Sequence, residues 1–394
     1  MPSRAKRLEK IPPYLFAEIA RIKAEMRARG EDIIDLGIGD PDQPTPAPIV
    51  TAMQQAVTHP ATHRYDESAR GWQTFLDAAA RWLRREFSVE VDPKSEILEV
   101  IGSKEGLAHL IWAYCDPGDA VIVPDPGYPV YRIQADMCDA TVYGARLKEE
   151  NGFLPVLEDI PVEIARKAKL FFTCYPGNPT GAVAPKEFYE DAVRFCRDYD
   201  ILLVGDLAYA MVTYDGYRCT SPLQVEGAKE HVIEFHSLSK PFNMTGWRIG
   251  FACGGADALA PLSRLKDNID SKQFAAIAET AAWALDHGEN RATLELYQRR
   301  RDVLVRGLKE AGWDVPTPRA TFYVWARVPT SETSAEFARR LLEEAKVLVI
   351  PGNGYGPGGE GYVRMSLTVS GDVAGERLEE AARRIAAVGA VARA

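Results

Sequence analysis

The sequence predicts an α/β protein, with a large domain built on a mostly parallel sheet between helices and a smaller α+β domain after it. Three observations carry this. Short, mostly apolar runs recur at residues 97–101, 120–123, 170–174, 201–204 and 232–235, each bounded by Gly, Pro, Asp or a charged residue. Helical patterns lie between them, as at residues 186–197. After about residue 285 the spacing lengthens, and strands alternate with longer helices. A strand that is apolar along most of its length, without alternation, is buried on both faces, the signature of a parallel sheet covered by helices.

The elements follow in order. Residues 14–29 place Leu15, Ile19 and Ile22 at helical spacing and stop at Gly30, which predicts a helix with a glycine terminator. Pro46-Ala47-Pro48 opens a second helix, because a first-turn N–H has no partner for proline to remove. In residues 71–87, Phe75, Ala79, Leu83 and Phe87 recur at fours, an amphipathic helix. Beyond 285 we expect a charged helix at 289–311, strands at 321–326, 347–350 and 362–367, a helix at 335–345 and a last helix from about 373. This gives an N-terminal segment, 1–45, joining the small domain, a large domain at 46–285 and a small domain at 286–394.

The 394 residues are ample for a sizeable core. Lys and Arg number 47 against 56 Asp and Glu, a net charge of −9 that points to neither nucleic acid nor an anionic membrane. None of the six cysteines forms a C-x-x-C pair or sits beside a His at ligand spacing, so neither a disulfide framework nor a metal site is expected. The charged, proline-broken N-terminus lacks the apolar core of a signal peptide, and no window reaches the ~20 apolar residues of a membrane span. The expectation is a cytoplasmic protein.

Ligands of parallel sheets bind beyond the carboxyl ends of the strands, so the residues after each run matter most. After the first come Ser103 and Lys104 at a helix start, where Ser103 can cap and free N–H groups can hold a phosphate. After the second, Tyr128 is an aromatic ring on a proline-rich loop. After the third, Asn178 precedes Pro179, and a cis bond there would fix its amide. After the fourth come Asp206 and Tyr209; a carboxylate at a buried sheet end is costly without a cation. After the fifth come Ser237, Ser239 and Lys240, then Arg248. Taken singly, each has a plain structural reading: a helix cap, a core tyrosine, a solvated lysine. Together they fit pyridoxal 5′-phosphate. That group needs an imine-forming lysine, an acid opposite its pyridine nitrogen, donors at its phenolic oxygen, a stacking ring and a phosphate cup.

Gly354-Tyr355-Gly356-Pro357-Gly358-Gly359 matches a dinucleotide-binding fingerprint by spacing. Pro357 removes one N–H, and a strand pattern rather than a helix follows, so a turn is expected.

The segment from Ser237-Leu238-Ser239-Lys240 to Gly246-Trp247-Arg248-Ile249-Gly250 resembles the fold-type I, class I/II aminotransferases, and the resemblance runs from Ile11 to Arg364. Within that family, Pro12-Pro13-Tyr14-Leu15-Phe16, Leu36-Gly37-Ile38-Gly39-Asp40-Pro41-Asp42, Ile101-Gly102-Ser103-Lys104-Glu105-Gly106 and the stretch from Pro124 to Tyr131 are most similar to bacterial LL-diaminopimelate aminotransferases. The resemblance implies a mostly parallel seven-stranded sheet in the large domain. It implies that Lys240 binds the cofactor and shuttles the proton, that Asp206 keeps the pyridine nitrogen protonated, and that Tyr209 and Asn178 bond the phenolic oxygen. Tyr128 would stack on the ring. Ser103, Lys104, Ser237, Ser239 and Arg248 would hold the phosphate. Arg364 would fork the substrate α-carboxylate, with Gly39 and Asn178 beside it, Asn268 near the substrate and Tyr14 closing over it. Tyr65 would reach the phosphate of a neighbouring subunit in a homodimer with shared sites. Gly177, the charged residues around Tyr65, and Lys272 depart from the family pattern, the last two where a substrate's distal end would lie.

The expected activity is transfer of an amino group between an α-amino acid and a 2-oxo acid by a ping-pong route, with LL-diaminopimelate and 2-oxoglutarate as the leading pair. Alanine or aspartate transamination, β-elimination from a cysteine thioether, and a cofactor-sensing regulator are the competing readings.

Overall fold

A computed structural model describes residues 1–11, 15–65 and 70–388. Its strands, in chain order, are β1 (Ile34–Asp35), β2 (Ile97–Val100), β3 (Ala120–Asp125), β4 (Thr141–Arg146), β5 (Ala168–Cys174), β6 (Leu202–Asp206), β7 (Val232–Ser237), β8 (Gly250–Gly254), β9 (Tyr323–Arg327), β10 (Val347–Leu348), β11 (Ile350–Pro351) and β12 (Tyr362–Ser366). The five apolar runs become β2, β3, β5, β6 and β7. With β4 and β8 they form the seven-stranded sheet, in the order β2-β8-β7-β6-β5-β3-β4. β3 to β7 run parallel to one another, and β8 is antiparallel to both β2 and β7.

The two extra strands lack the apolar signature for physical reasons. β4 is an edge strand whose residues are mostly half-buried or exposed. β8 begins and ends in glycine, and a Cβ at Gly250 would stand 2.4 Å from the His236 carbonyl, so close pairing with β7 requires glycine there.

Successive residues of the central strands enter opposite layers. Phe171 and Leu203 pack with Phe75, Ala79, Leu83 and Phe87 of the helix Gln73–Phe87. Leu170, Phe172, Leu202 and Val204 pack with Leu107, Leu110 and Ile111 of the helix Ser103–Tyr114. Burying each large apolar side chain is worth about 1.5–3 kcal/mol, which fixes the strand register by preference for both faces. The sheet ends are therefore rigid points from which loops can present side chains.

A second sheet has the order β11-β12-β9, all antiparallel, and β1 pairs parallel with β10. The single strand expected at 347–350 is thus divided. Val349 separates β10 from β11, and the two halves join different sheets. The helix expected at 335–345 runs as Ser334–Arg340, opened by a Thr333–Glu336 capping box, then widens to a π-type turn at Leu341–Ala345. The helix Arg291–Glu310 packs Leu304 and Leu308 with Val324, Val363 and Met365, and with Leu378 and Ile385 of the helix Glu376–Val388. Ile34 and Leu36 of the N-terminal segment belong to this same core. The first helix spans Leu15–Ala28, and Gly30 follows it with a φ of +77°, the left-handed conformation of a helix stop.

Arg300 ties the N-terminal segment to this core. It is fully buried and forks Asp42 at 2.8 and 2.9 Å, while also donating to the carbonyls of Leu367, Val369 and Asp372. Among the described residues no helix is long and apolar enough to cross a membrane.

Candidate active site

The carboxyl ends of β5 and β6, the turn after β7, the Gly39–Asp40 loop and strands β9 and β12 enclose a cavity of about 360 Å³. Nine of the residues singled out in the sequence line it. Asn178, Asp206, Tyr209 and Lys240 come from the strand ends, Ser103, Lys104 and Tyr128 from two further loops, and Gly39 and Arg364 from the facing wall.

Lys240 stands three residues beyond β7. Its Nζ donates to the Gly39 carbonyl at 3.2 Å and lies 4.0 Å from Asp40 Oδ1. Burial pulls its amine down to about 8; Arg248 and Arg364 push the same way, and Asp40 and Asp206 oppose them. Asp206, the last residue of β6, accepts from the Tyr131 hydroxyl at 2.6 Å and from the Ala208 amide at 3.3 Å. Burial raises its carboxyl above the usual range, while these two bonds favour the carboxylate. Such a group is made for a cationic partner.

The Tyr209 hydroxyl shares a 2.8 Å hydrogen bond with that of Tyr323. The Asn178–Pro179 bond is cis, as are Asp125–Pro126 and Tyr175–Pro176. Asn178 Oδ1 accepts from Arg364 Nη1 at 2.9 Å, and Arg364 Nη2 donates to the Gly37 carbonyl at 2.7 Å. Arg364 is 1 % exposed, lies over Tyr323 and Tyr355, and its Nε is buried without a partner. A buried guanidinium with an unused donor suits a carboxylate.

At the other end, the structure corrects the capping expectation. Gly102, not Ser103, is the cap residue of the helix Ser103–Tyr114, and Ser103 is its first helical residue. A Cβ at Gly102, whose φ is +77°, would stand 2.3 Å from Arg248 Nη2. Glycine is what lets Arg248 approach the helix N-terminus. Ser237 Oγ accepts the Ser239 amide at 3.2 Å, and Ser239 Oγ is buried without a partner.

Five predicted residues among those described do not line this cavity: Ser237, Ser239, Arg248, Tyr65 and Asn268. Tyr65 is 98 % exposed. Asn268 turns its amide to the Arg264 carbonyl at 2.8 Å. Tyr14, like the charged residues 66–69, lies outside the described residues. Conversely, Lys23, Asp40, Cys174 and Tyr323 line it, and the sequence assigns none of them a role at the site. Tyr131, which holds Asp206, stood in the proline-rich stretch without an assigned role.

The glycine-rich segment is a turn, made of Gly352–Tyr355 and Pro357–Gly359, with the Gly358 amide on Asp125 Oδ1 at 2.7 Å. Folding brings Cys253 beside Glu234 and His236, which no sequence spacing indicates. Glu234 is already bonded by Leu223 N, Ser221 Oγ and His236, so this is a hydrogen-bonded core cluster.

The class I and II aminotransferase profile matches residues 31–385. An LL-diaminopimelate aminotransferase of Moorella thermoacetica is 50 % identical over 384 residues, covering 97 % of both chains. One from Halothermothrix orenii is 49 % identical over 383 residues, also 97 % of both.

The chain belongs to the class I and II aminotransferase family.

The substrate-bound structure of BacF from Bacillus subtilis superposes with a TM-score of 0.93 at 35 % identity, covering 99 % of this chain and 98 % of that one. An aminotransferase fold thus accounts for the seven-stranded sheet, and it makes the 360 Å³ cavity at its strand ends the natural place for amino-group chemistry.

Proposed function

We propose that this aminotransferase uses pyridoxal 5′-phosphate and moves the amino group of LL-diaminopimelate to 2-oxoglutarate. The observation that carries the cofactor is the pairing, in one cavity, of a lysine amine pulled down to about 8 with a buried carboxylate whose own partners aim it. The phosphate end supports it: the unpartnered Ser239 hydroxyl, the Arg248 guanidinium and a helix N-terminus that only a glycine cap opens to it. Similarity over nearly the whole chain to LL-diaminopimelate aminotransferases supports the substrate.

When bound, pyridoxal 5′-phosphate supplies an aldehyde for amine exchange and a ring that withdraws electrons from the substrate Cα. The residues of this chain do the rest. Arg364 binds the α-carboxylate, using its Nε and turning part of its fork from Asn178 and Gly37. Lys240, whose amine burial pulls down to about 8, would move the proton between the substrate Cα and the cofactor's aldehyde carbon. Asp206, held by Tyr131, would keep a proton at the pyridine nitrogen. Tyr209 and Asn178 would donate to the phenolic oxygen, and Tyr128 would cover the ring face. Ser103, Lys104, Ser237, Ser239 and Arg248 would hold the phosphate. Tyr65, exposed here, is assigned to the phosphate of a second copy in a cytoplasmic homodimer, with Asn268 and Tyr14 near the substrate. Residues 46–285 form the cofactor domain in this reading, and 1–45 with 286–394 the smaller one.

The test is glutamate formation from 2-oxoglutarate with LL-diaminopimelate, alanine or aspartate as donor. The proposal expects kcat/KM for LL-diaminopimelate to exceed the others by about tenfold or more. Preference for alanine or aspartate would remove the diaminopimelate assignment alone. Pyruvate released from a cysteine thioether without any oxo acid, and no glutamate from any donor, would remove the transaminase.

A further inference from the structure

Next to the amino end of the helix Ser103–Tyr114 lies a cluster of four ionisable side chains outside the cavity. Lys266, at the end of the helix Ala256–Asp267, is only 2 % exposed. Its Nζ donates to Glu105 Oε1 at 2.9 Å and to Asp270 Oδ1 at 3.1 Å. His109 Nδ1 lies 2.6 Å from Glu105 Oε1 and 3.7 Å from Asp270 Oδ2. Glu105, His109 and Asp270 have the grouping of a metal site, but the Lys266 ammonium already bridges the two carboxylates. Burial pushes the Glu105 carboxyl up, yet His109, Lys266 and the Ile101 amide outweigh it and hold it below its usual value.

The second Glu105 oxygen explains where this cluster acts. It accepts the Ile101 amide at 2.8 Å. Ile101 precedes Gly102, the left-handed cap residue packed against Arg248, and Ser103, the first residue of the helix. Glu105 therefore pins the turn from inside. A carboxylate two residues from an anion cup would also repel a dianion, and Lys266 offsets that charge.

We propose that Glu105, Lys266 and Asp270 form a positioning network for the phosphate end of the cofactor site, fixing the turn at residues 101–103 and shielding the phosphate from two carboxylates. This rests on the cofactor reading above. None of the three touches the cavity, and each acts through the backbone amides and Arg248 that meet the phosphate.

The experiment compares the affinity of the apo chain for pyridoxal 5′-phosphate and for pyridoxal, which lacks the phosphate, by equilibrium spectral titration. The wild type is expected to bind the phosphorylated form far more tightly. Glu105→Gln keeps the shape but leaves one acceptor oxygen for two donors, the Ile101 amide and the Lys266 ammonium, so the turn loosens; it is expected to weaken pyridoxal 5′-phosphate by about tenfold or more while leaving pyridoxal within about twofold. Lys266→Met uncovers both carboxylates and is expected to weaken the phosphorylated form further, with Glu105→Gln/Lys266→Met recovering part of that loss. Where Lys266→Met does not fold, Glu105→Gln decides alone. Equal loss for both ligands assigns the cluster to folding only and overturns the proposal, as does no loss for either. A wild type that takes both ligands equally overturns the phosphate cup itself, and the network with it.

Discussion

The Arg364 guanidinium lies over the Tyr323 ring, 4.1 Å from its centroid, and the Tyr323 hydroxyl meets that of Tyr209 at 2.8 Å. β12 and β9 produce the first contact: Ser366 pairs with Tyr323, and Arg364, two residues earlier, points to the same face. One tyrosine thus links the Arg364 end of the cavity to the segment just beyond β6. The same relation explains Gly39, where a Cβ would stand 2.0 Å from the Tyr323 hydroxyl.

Arg364→Ala removes both the fork and the cation from a fully enclosed position. kcat/KM is expected to fall by about 100-fold or more for every α-amino acid tried, because all share the carboxylate. Steady-state kinetics over several donors check this; a loss confined to one donor would mean that Arg364 reads a side chain.

Gly39→Ala forces Tyr323 away from both Tyr209 and Arg364. Its kcat/KM is expected to fall by about tenfold or more, since overpacking at a pinned ring displaces both partners. A wild-type value would show that Tyr323 moves freely.

The Lys240 amine must be neutral to attack an aldehyde, so uptake of pyridoxal 5′-phosphate by the apo chain is expected to speed up as pH rises through about 8 and then level off. Asp40 favours the ammonium from 4.0 Å, so Asp40→Asn is expected to move the midpoint down. Stopped-flow uptake rates against pH measure both. A midpoint near 10.5, or an upward shift in the variant, would contradict the buried-amine account.

Arg300→Met leaves the Asp42 carboxylate and three carbonyls without their buried donor. Breaking such a pair costs about 3–5 kcal/mol, which a denaturant midpoint would register. A change below about 1 kcal/mol would mean that water replaces the guanidinium.

How much of this was legible in the sequence depended on distance along the chain. Asp206 ends its strand, and Asn178 and Lys240 follow theirs within a few residues, so strand and site could be read together. Tyr131 and Tyr323 could not be, because they meet Asp206 and Tyr209 across 75 and 114 positions. The apolar run at 347–350 carried no mark of its division at Val349, since both halves are buried and only their partners differ. Propensity points to serine as the cap at 103, whereas the approach of Arg248 demands glycine one residue earlier.

The central claim is that Lys240 is the amine that carries pyridoxal 5′-phosphate. Borohydride reduction of the holoenzyme followed by peptide mass mapping tests it most directly. The account predicts the cofactor mass on the peptide containing Lys240, and none in Lys240→Ala. Label on another lysine, or equal labelling of the variant, would contradict it.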